Sequence, residues 1–134
     1  MESPEQSVPT ILIADDDALI RLVLERALRA RGYAVTATST RHDCFAEFSN
    51  SRFDLAILDA HMPGPSLEES LALMSETRPL PRTIIMSGDL ERPSWLRAEF
   101  SYISKPFDLS TFLETVAAYL DGGEPTTHSG GAPR

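Results

Sequence analysis

Three of the apolar runs in this 134-residue chain are short and solid: "TILIA" (10–14), "LAIL" (55–58) and "TIIM" (83–86). A strand with one wet face alternates apolar and polar residues. A strand that is apolar throughout needs cover on both faces. The segments between these runs have the other period. In "ALIRLVLERALRAR" (18–31), Ile20, Val23, Leu24, Ala27 and Leu28 fall on one helical face, and Gly32 follows as a stop. "RHDCFAEFSN" (41–50) carries Phe45 and Phe48 at helical spacing, and Ser66 with Glu69 forms a possible capping box ahead of Leu67, Leu71 and Met74. In "DLSTFLETVAAYL" (108–120) the stripe is Leu109, Phe112, Leu113, Val116, Ala117 and Leu120, with Asp108 able to cap. "YAVTA" (33–37) and the weaker "SYIS" (101–104) complete five strands. Five strands alternating with helices make an α/β domain: a parallel sheet, doubly wound, with helices on both faces. Residues 1–9 read as a flexible arm, 10–121 as the domain and 122–134 as a disordered, apolar-poor tail.

In such a sheet ligands bind outside the carboxyl ends of the strands. Here those ends carry one kind of chemistry. The first run enters Asp15-Asp16-Asp17, the third ends at Asp59, the fourth at Ser87 and the fifth at Lys105. Carboxylates about 5 Å apart repel by roughly 3 kcal/mol at an effective dielectric near 20, so such a cluster holds a proton or a cation. Oxygen donors in a small incomplete cage favour Mg²⁺ over Ca²⁺. A carboxylate can accept a phosphoryl group covalently, and a lysine and a hydroxyl aimed at the same point complete a phosphate site. Asp17 fits a helix cap better than a ligand.

The net charge of −8 argues against a nucleic-acid binder that works through a basic patch. No apolar run approaches the roughly 20 residues that span a bilayer. A single cysteine, Cys44, allows no internal disulfide and points to a reducing cytoplasm. Cys44 and Trp95 read as packing residues, and His42 and His128 receive no role.

With "ILIADDD", "FDLAILDAHMPG", "IIMSGD" and "YISKPF" in this order, residues 10–120 resemble a response-regulator receiver domain, the CheY-like phosphoacceptor module of two-component signalling. The resemblance implies a flavodoxin-like strand order 2-1-3-4-5. It implies Asp59 as phosphoacceptor, with Asp15, Asp16, Asp59 and the His61 backbone carbonyl as ligands of Mg²⁺, or of Mn²⁺. It also implies Lys105 as the catalytic lysine, usually before a cis proline, with Ser87 and Tyr102 as the switch pair. His61 and Asp89 would border the phosphoryl group and tune its hydrolysis. The implied partners are a sensor histidine kinase or a histidine phosphotransfer protein. The chain would catalyse only its own phosphorylation and dephosphorylation, and would signal as a stand-alone module by protein contact or phosphorelay.

Two departures from the family pattern stand out. Pro65 follows "MPG" directly, with no further glycine before the third helix. Only 18 residues separate Ser87 from Lys105, so the helix between the last two strands is abbreviated to "SWLRAEF". A subset of receivers, some linked to HWE-type histidine kinases, shares that feature. Two other function classes compete. A Mg²⁺-dependent aspartyl phosphatase or phosphotransferase would place D-x-D on one strand end and add a cap. A docking module that is never phosphorylated would have lost the acceptor, the acidic pair or the lysine.

Overall fold

The computed structural model describes residues 7–89 and 91–128. The order is β1 (Thr10–Ala14), α1 (Ala18–Ala30), β2 (Ala34–Thr38), α2 (Arg41–Asn50), β3 (Leu55–Asp59), α3 (Leu67–Thr77), β4 (Arg82–Ser87), β5 (Ser101–Ser104), α4 (Leu109–Leu120) and β6 (Thr127–His128). All pairings are parallel and the sheet runs β2-β1-β3-β4-β5-β6. The expected five-strand order is therefore present, with one strand added at its edge.

The solid apolar runs are explained by two separate cores. Ile11 and Ile13 of β1 join Leu24, Leu28, Phe112 and Val116 on the face covered by α1 and α4. Leu12 and Ala14 point the other way, to Phe48, Leu71 and Met74 of α2 and α3. Each strand residue thus finds apolar cover on its own side, which is what a doubly wound sheet requires. The α1 stripe is narrower than its periodicity suggests. Leu24 and Leu28 are buried, but Val23 lies exposed beside Leu19 and Leu22. Local capping follows the sequence closely. Asp17 accepts from the amides of Leu19 and Ile20, Asp108 accepts from Thr111, and Ser66 and Glu69 form the reciprocal box. Cys44 packs inside, and burial pushes its thiol up to about 11. Among the described residues no helix is long and apolar enough to cross a membrane.

Two expectations need correction. The abbreviated helix at "SWLRAEF" is absent. Residues 91–100 form turns, closed by bonds from Leu96 N to Pro93 O and from Phe100 N to Arg97 O. Pro93 and short apolar content leave too few residues to nucleate a helix. The segment is held instead by Arg92, whose guanidinium donates to the carbonyls of Phe100 and Arg97, and by burial of Leu96 and Phe100. Leu90, expected as another anchor, lies outside the described residues.

The second correction concerns the tail. Residues 122–128 are structured. Gly122 turns the chain at φ 93°, and the Gly123 amide donates to Ala118 O at 2.8 Å. A Cβ at Gly123 would sit 2.7 Å from that same oxygen, so only glycine passes there. The chain then returns beside β5: Tyr102 N donates to Thr126 O at 2.8 Å and Thr126 N to Ser101 Oγ at 3.1 Å. Arg82 donates to Gly123 O, and the His128 ring meets Thr115 Oγ1 at 3.1 Å. The segment is short in apolar residues because backbone pairing, not burial, holds it. The arm at 1–6 and residues 129–134 lie outside the described residues. Truncation after Asp121 is expected to lower the melting temperature by several degrees, since it unpairs an edge of the sheet; a thermal melt of the truncated and full chains checks this.

Candidate functional site

The carboxyl ends of β1, β3, β4 and β5 meet at one point, because parallel pairing aligns them. Asp15, Asp16 and Asp59 bring one carboxylate oxygen each to within 4.8 Å of one another. Asp15 is fully buried and Asp59 nearly so, while Asp16 is open to solvent. Lys105 reaches in from the end of β5. Its Nζ lies 3.1 Å from Asp15 Oδ2 and 3.5 Å from Asp59 Oδ2. The Lys105–Pro106 peptide is cis.

Backbone amides aim the carboxylates. Asp17 N donates to Asp15 Oδ1 at 2.9 Å, and His61 N donates to Asp59 Oδ1 at 3.2 Å. The His61 amide therefore sits beside the Asp59 carboxylate. The strand-end frame continues through Lys105 N to Ser87 O at 2.6 Å and Ala60 N to Met86 O at 2.7 Å. Such a set of oxygen donors, one of them exposed, suits a hard divalent cation that keeps waters.

Ser87 is buried, and its Oγ accepts from Asp89 N at 3.0 Å. The His61 ring contacts both Asp89 and Ser87: Nε2 lies 3.0 Å from Asp89 Oδ2 and 3.2 Å from Ser87 Oγ. His61 and Asp89, assigned separately from sequence, therefore form one contact across the mouth of the site. Tyr102, implied above as one of the switch pair, lies in β5. It is already fully buried, and its hydroxyl donates to Asp89 O at 2.9 Å. Ser104 Oγ donates to the same carbonyl at 3.0 Å.

Sequence reasoning missed Arg41. It opens α2, is buried, and donates from Nη2 to Ala60 O at 3.0 Å. Its signal was a basic residue at the first turn of a helix, where the dipole disfavours one. His42, Cys44, Trp95 and His128 stay away from the cluster's contacts.

Burial raises the Asp59 carboxyl above its ordinary range, and Asp15 adds to this; the His61 amide and Lys105 oppose it. A raised carboxyl favours the protonated form in the fold. The ionised Asp59 therefore destabilises fully above its folded value, and the penalty disappears as pH falls below the unfolded value. In metal-free protein Asp59→Asn is expected to melt a few degrees higher than wild type at neutral pH. The gap should close on acidification, as measured by thermal melts across pH.

Comparison with known proteins agrees with this geometry. Residues 11–117 match the family described as "Response regulator receiver domain". A DNA-binding transcriptional regulator NtrC from Bradyrhizobium sp. (strain RP501 Parasponia) is 35% identical over 116 residues, covering 83% of this chain and 24% of the relative. The chain thus spans about a quarter of the length of the curated relatives it matches. A CheY-like receiver domain protein from Methanospirillum hungatei JF-1 superposes with TM-score 0.74 at 30% identity, over 86% of this chain and 95% of the other. TrrA from Thermotoga maritima, solved in complex with Mg²⁺-BeF, superposes with TM-score 0.68 at 25% identity, over 84% and 99%. With the receiver-domain family matched over most of its length, the chain belongs to the response-regulator receiver domains of two-component signalling.

Proposed function

We propose that this chain accepts a phosphoryl group on Asp59 from a histidine kinase or a histidine phosphotransfer protein, in a Mg²⁺-dependent reaction. The observation that carries this reading is the meeting of Asp15, Asp16 and Asp59 oxygens within 4.8 Å beside the Lys105 ammonium. An Asp59 oxygen attacks the phosphorus of a phosphohistidine. The O–P bond forms as the P–N bond breaks, the bonding pair stays on the imidazole nitrogen, and solvent supplies the proton that nitrogen needs. Lys105 pairs with the oxygen charge of the transferred group, as it now pairs with Asp59. Asp15, Asp16, Asp59 and the His61 carbonyl would hold a magnesium ion, whose charge would neutralise the phosphoryl group; manganese would suit the same donors. TrrA, solved with Mg²⁺-BeF, supports this assignment by likeness of fold.

Ser87 and Tyr102 carry the response. New charge on Asp59 draws the Ser87 hydroxyl toward it as a donor, away from its contacts with Asp89 N and His61 Nε2. The Asp89 carbonyl is tied to Tyr102 and Ser104, so strain passes into the turn segment 91–100 rather than freeing a side chain. Output by protein contact or onward phosphorelay suits an acidic surface of net charge −8, and a lone buried cysteine suits a cytoplasmic location. The chain would act enzymatically only on its own phosphoryl group. The phosphatase reading has less support, since the candidate nucleophile stands alone at the end of β3.

Acetyl phosphate with Mg²⁺ is expected to add one phosphoryl group by intact-mass measurement; equal labelling of Asp59→Asn would refute the site. Replacing His61 or Asp89 should change the decay of that label by about twofold or more, because either change opens the mouth of the site. Label-decay time courses of the two single variants check it. Hydrogen exchange across 91–99 is expected to slow when beryllofluoride and Mg²⁺ are added.

A further inference from the structure

Arg41 is expensive as it stands. Its side chain is 7% exposed, and burial lowers its pKa from the ordinary guanidinium value. It sits in the first turn of α2, where a positive charge opposes the helix dipole. One Nη donates to Ala60 O at 3.0 Å. Nε is buried and has no partner among the described residues, and no carboxylate forms an ion pair with the guanidinium there. A buried charge with so few partners destabilises a fold.

What Arg41 faces accounts for it. Ala60 is the residue after the phosphoacceptor, and its carbonyl begins the peptide run to His61. The stem of Arg41 lies under the same loop: a Cβ at Gly64 would meet Arg41 Cγ at 3.9 Å. The charges acting on the guanidinium from the site are Asp59 and Asp16. In the sheet order, β2 and β1 lie on one side of β3, and β4 and β5 on the other. Arg41 follows β2 and Lys105 follows β5, so the two cations approach Asp59 from opposite flanks. Lys105 is already shared with Asp15 at 3.1 Å. Arg41 holds charge in reserve.

We propose that Arg41 is a positioning residue of the phosphoacceptor site: it pins the Ala60–His61 backbone from behind and supplies a second fixed positive charge that is compensated when Asp59 carries a phosphoryl group. The resting fold bears the cost, and the phosphorylated state, with its greater negative charge, recovers it. This inference rests on Asp59 being the acceptor.

The test compares wild type with Arg41→Met, Arg41→Gln and Arg41→Lys, using acetyl phosphate labelling followed by intact mass. Amide shifts of Ala60 and His61 on adding Mg²⁺ and beryllofluoride give a second readout, and thermal melts a third. Labelling in the Met and Gln variants should slow about tenfold or more. Gln keeps a donor for Ala60 O without the charge, and Lys keeps the charge and should recover part of the rate. The Ala60 and His61 shifts should need more beryllofluoride in Met and Gln, with melting temperatures within a few degrees of wild type. A wild type that takes no label at Asp59 removes the acceptor assignment and this inference together. A labelled wild type matched in rate by folded Met or Gln variants overturns the role of Arg41 alone, as does a rate loss that only tracks a fall in melting temperature.

Discussion

The Lys105 ammonium, 3.1 Å from Asp15 and 3.5 Å from Asp59, is the contact on which the site depends. Without it the two buried carboxylates would face each other at the ends of adjacent strands with no ammonium between them. Lys105 comes from the far side of β4, and only a sheet paired in this order brings β5 close enough to deliver it. The fold and the site therefore constrain each other. The two cores hold the strand ends in register, and the ion pairs let charge accumulate there without scattering the chain.

The resting state is built around compensation that remains incomplete. Asp59 is held above its ordinary pKa by burial, although Lys105 and the His61 amide lean the other way. Arg41 keeps an Nε with no hydrogen-bond partner among the described residues. Ser87 spends its hydroxyl on Asp89 N and the His61 ring. On the proposed function, more negative charge at Asp59 would compensate the Arg41 guanidinium and attract the Ser87 hydroxyl.

The path out of the site differs from one that moves a packed helix. Residues 91–100 are turns, stapled by Arg92 to the carbonyls of Phe100 and Arg97. The same guanidinium lies 3.4 Å from Thr127 Oγ1 in β6. Residues 91–100 and the added strand thus share one cation, which gives a short route from the turn segment to the sheet edge. Tyr102 completes that route through its bond to Asp89 O.

The sequence by itself determined the layered fold and the contents of the site. Burial of solid apolar runs is a local pattern, and a parallel sheet places every strand end on one side. Asp15, Asp16, Asp59, Ser87 and Lys105 could therefore be grouped before any contact was known. Caps at Asp17, Ser66 and Asp108 were legible for the same reason, since their partners lie within three residues. Only the tertiary structure decided the rest. Arg41 finds Ala60 across 19 residues, Arg92 finds Thr127 across 35, and β6 pairs with β5 through backbone groups that every residue carries. Hydropathy is silent about bonds of that kind, because their energy comes from where the fold brings a donor to an acceptor and not from which residues are apolar.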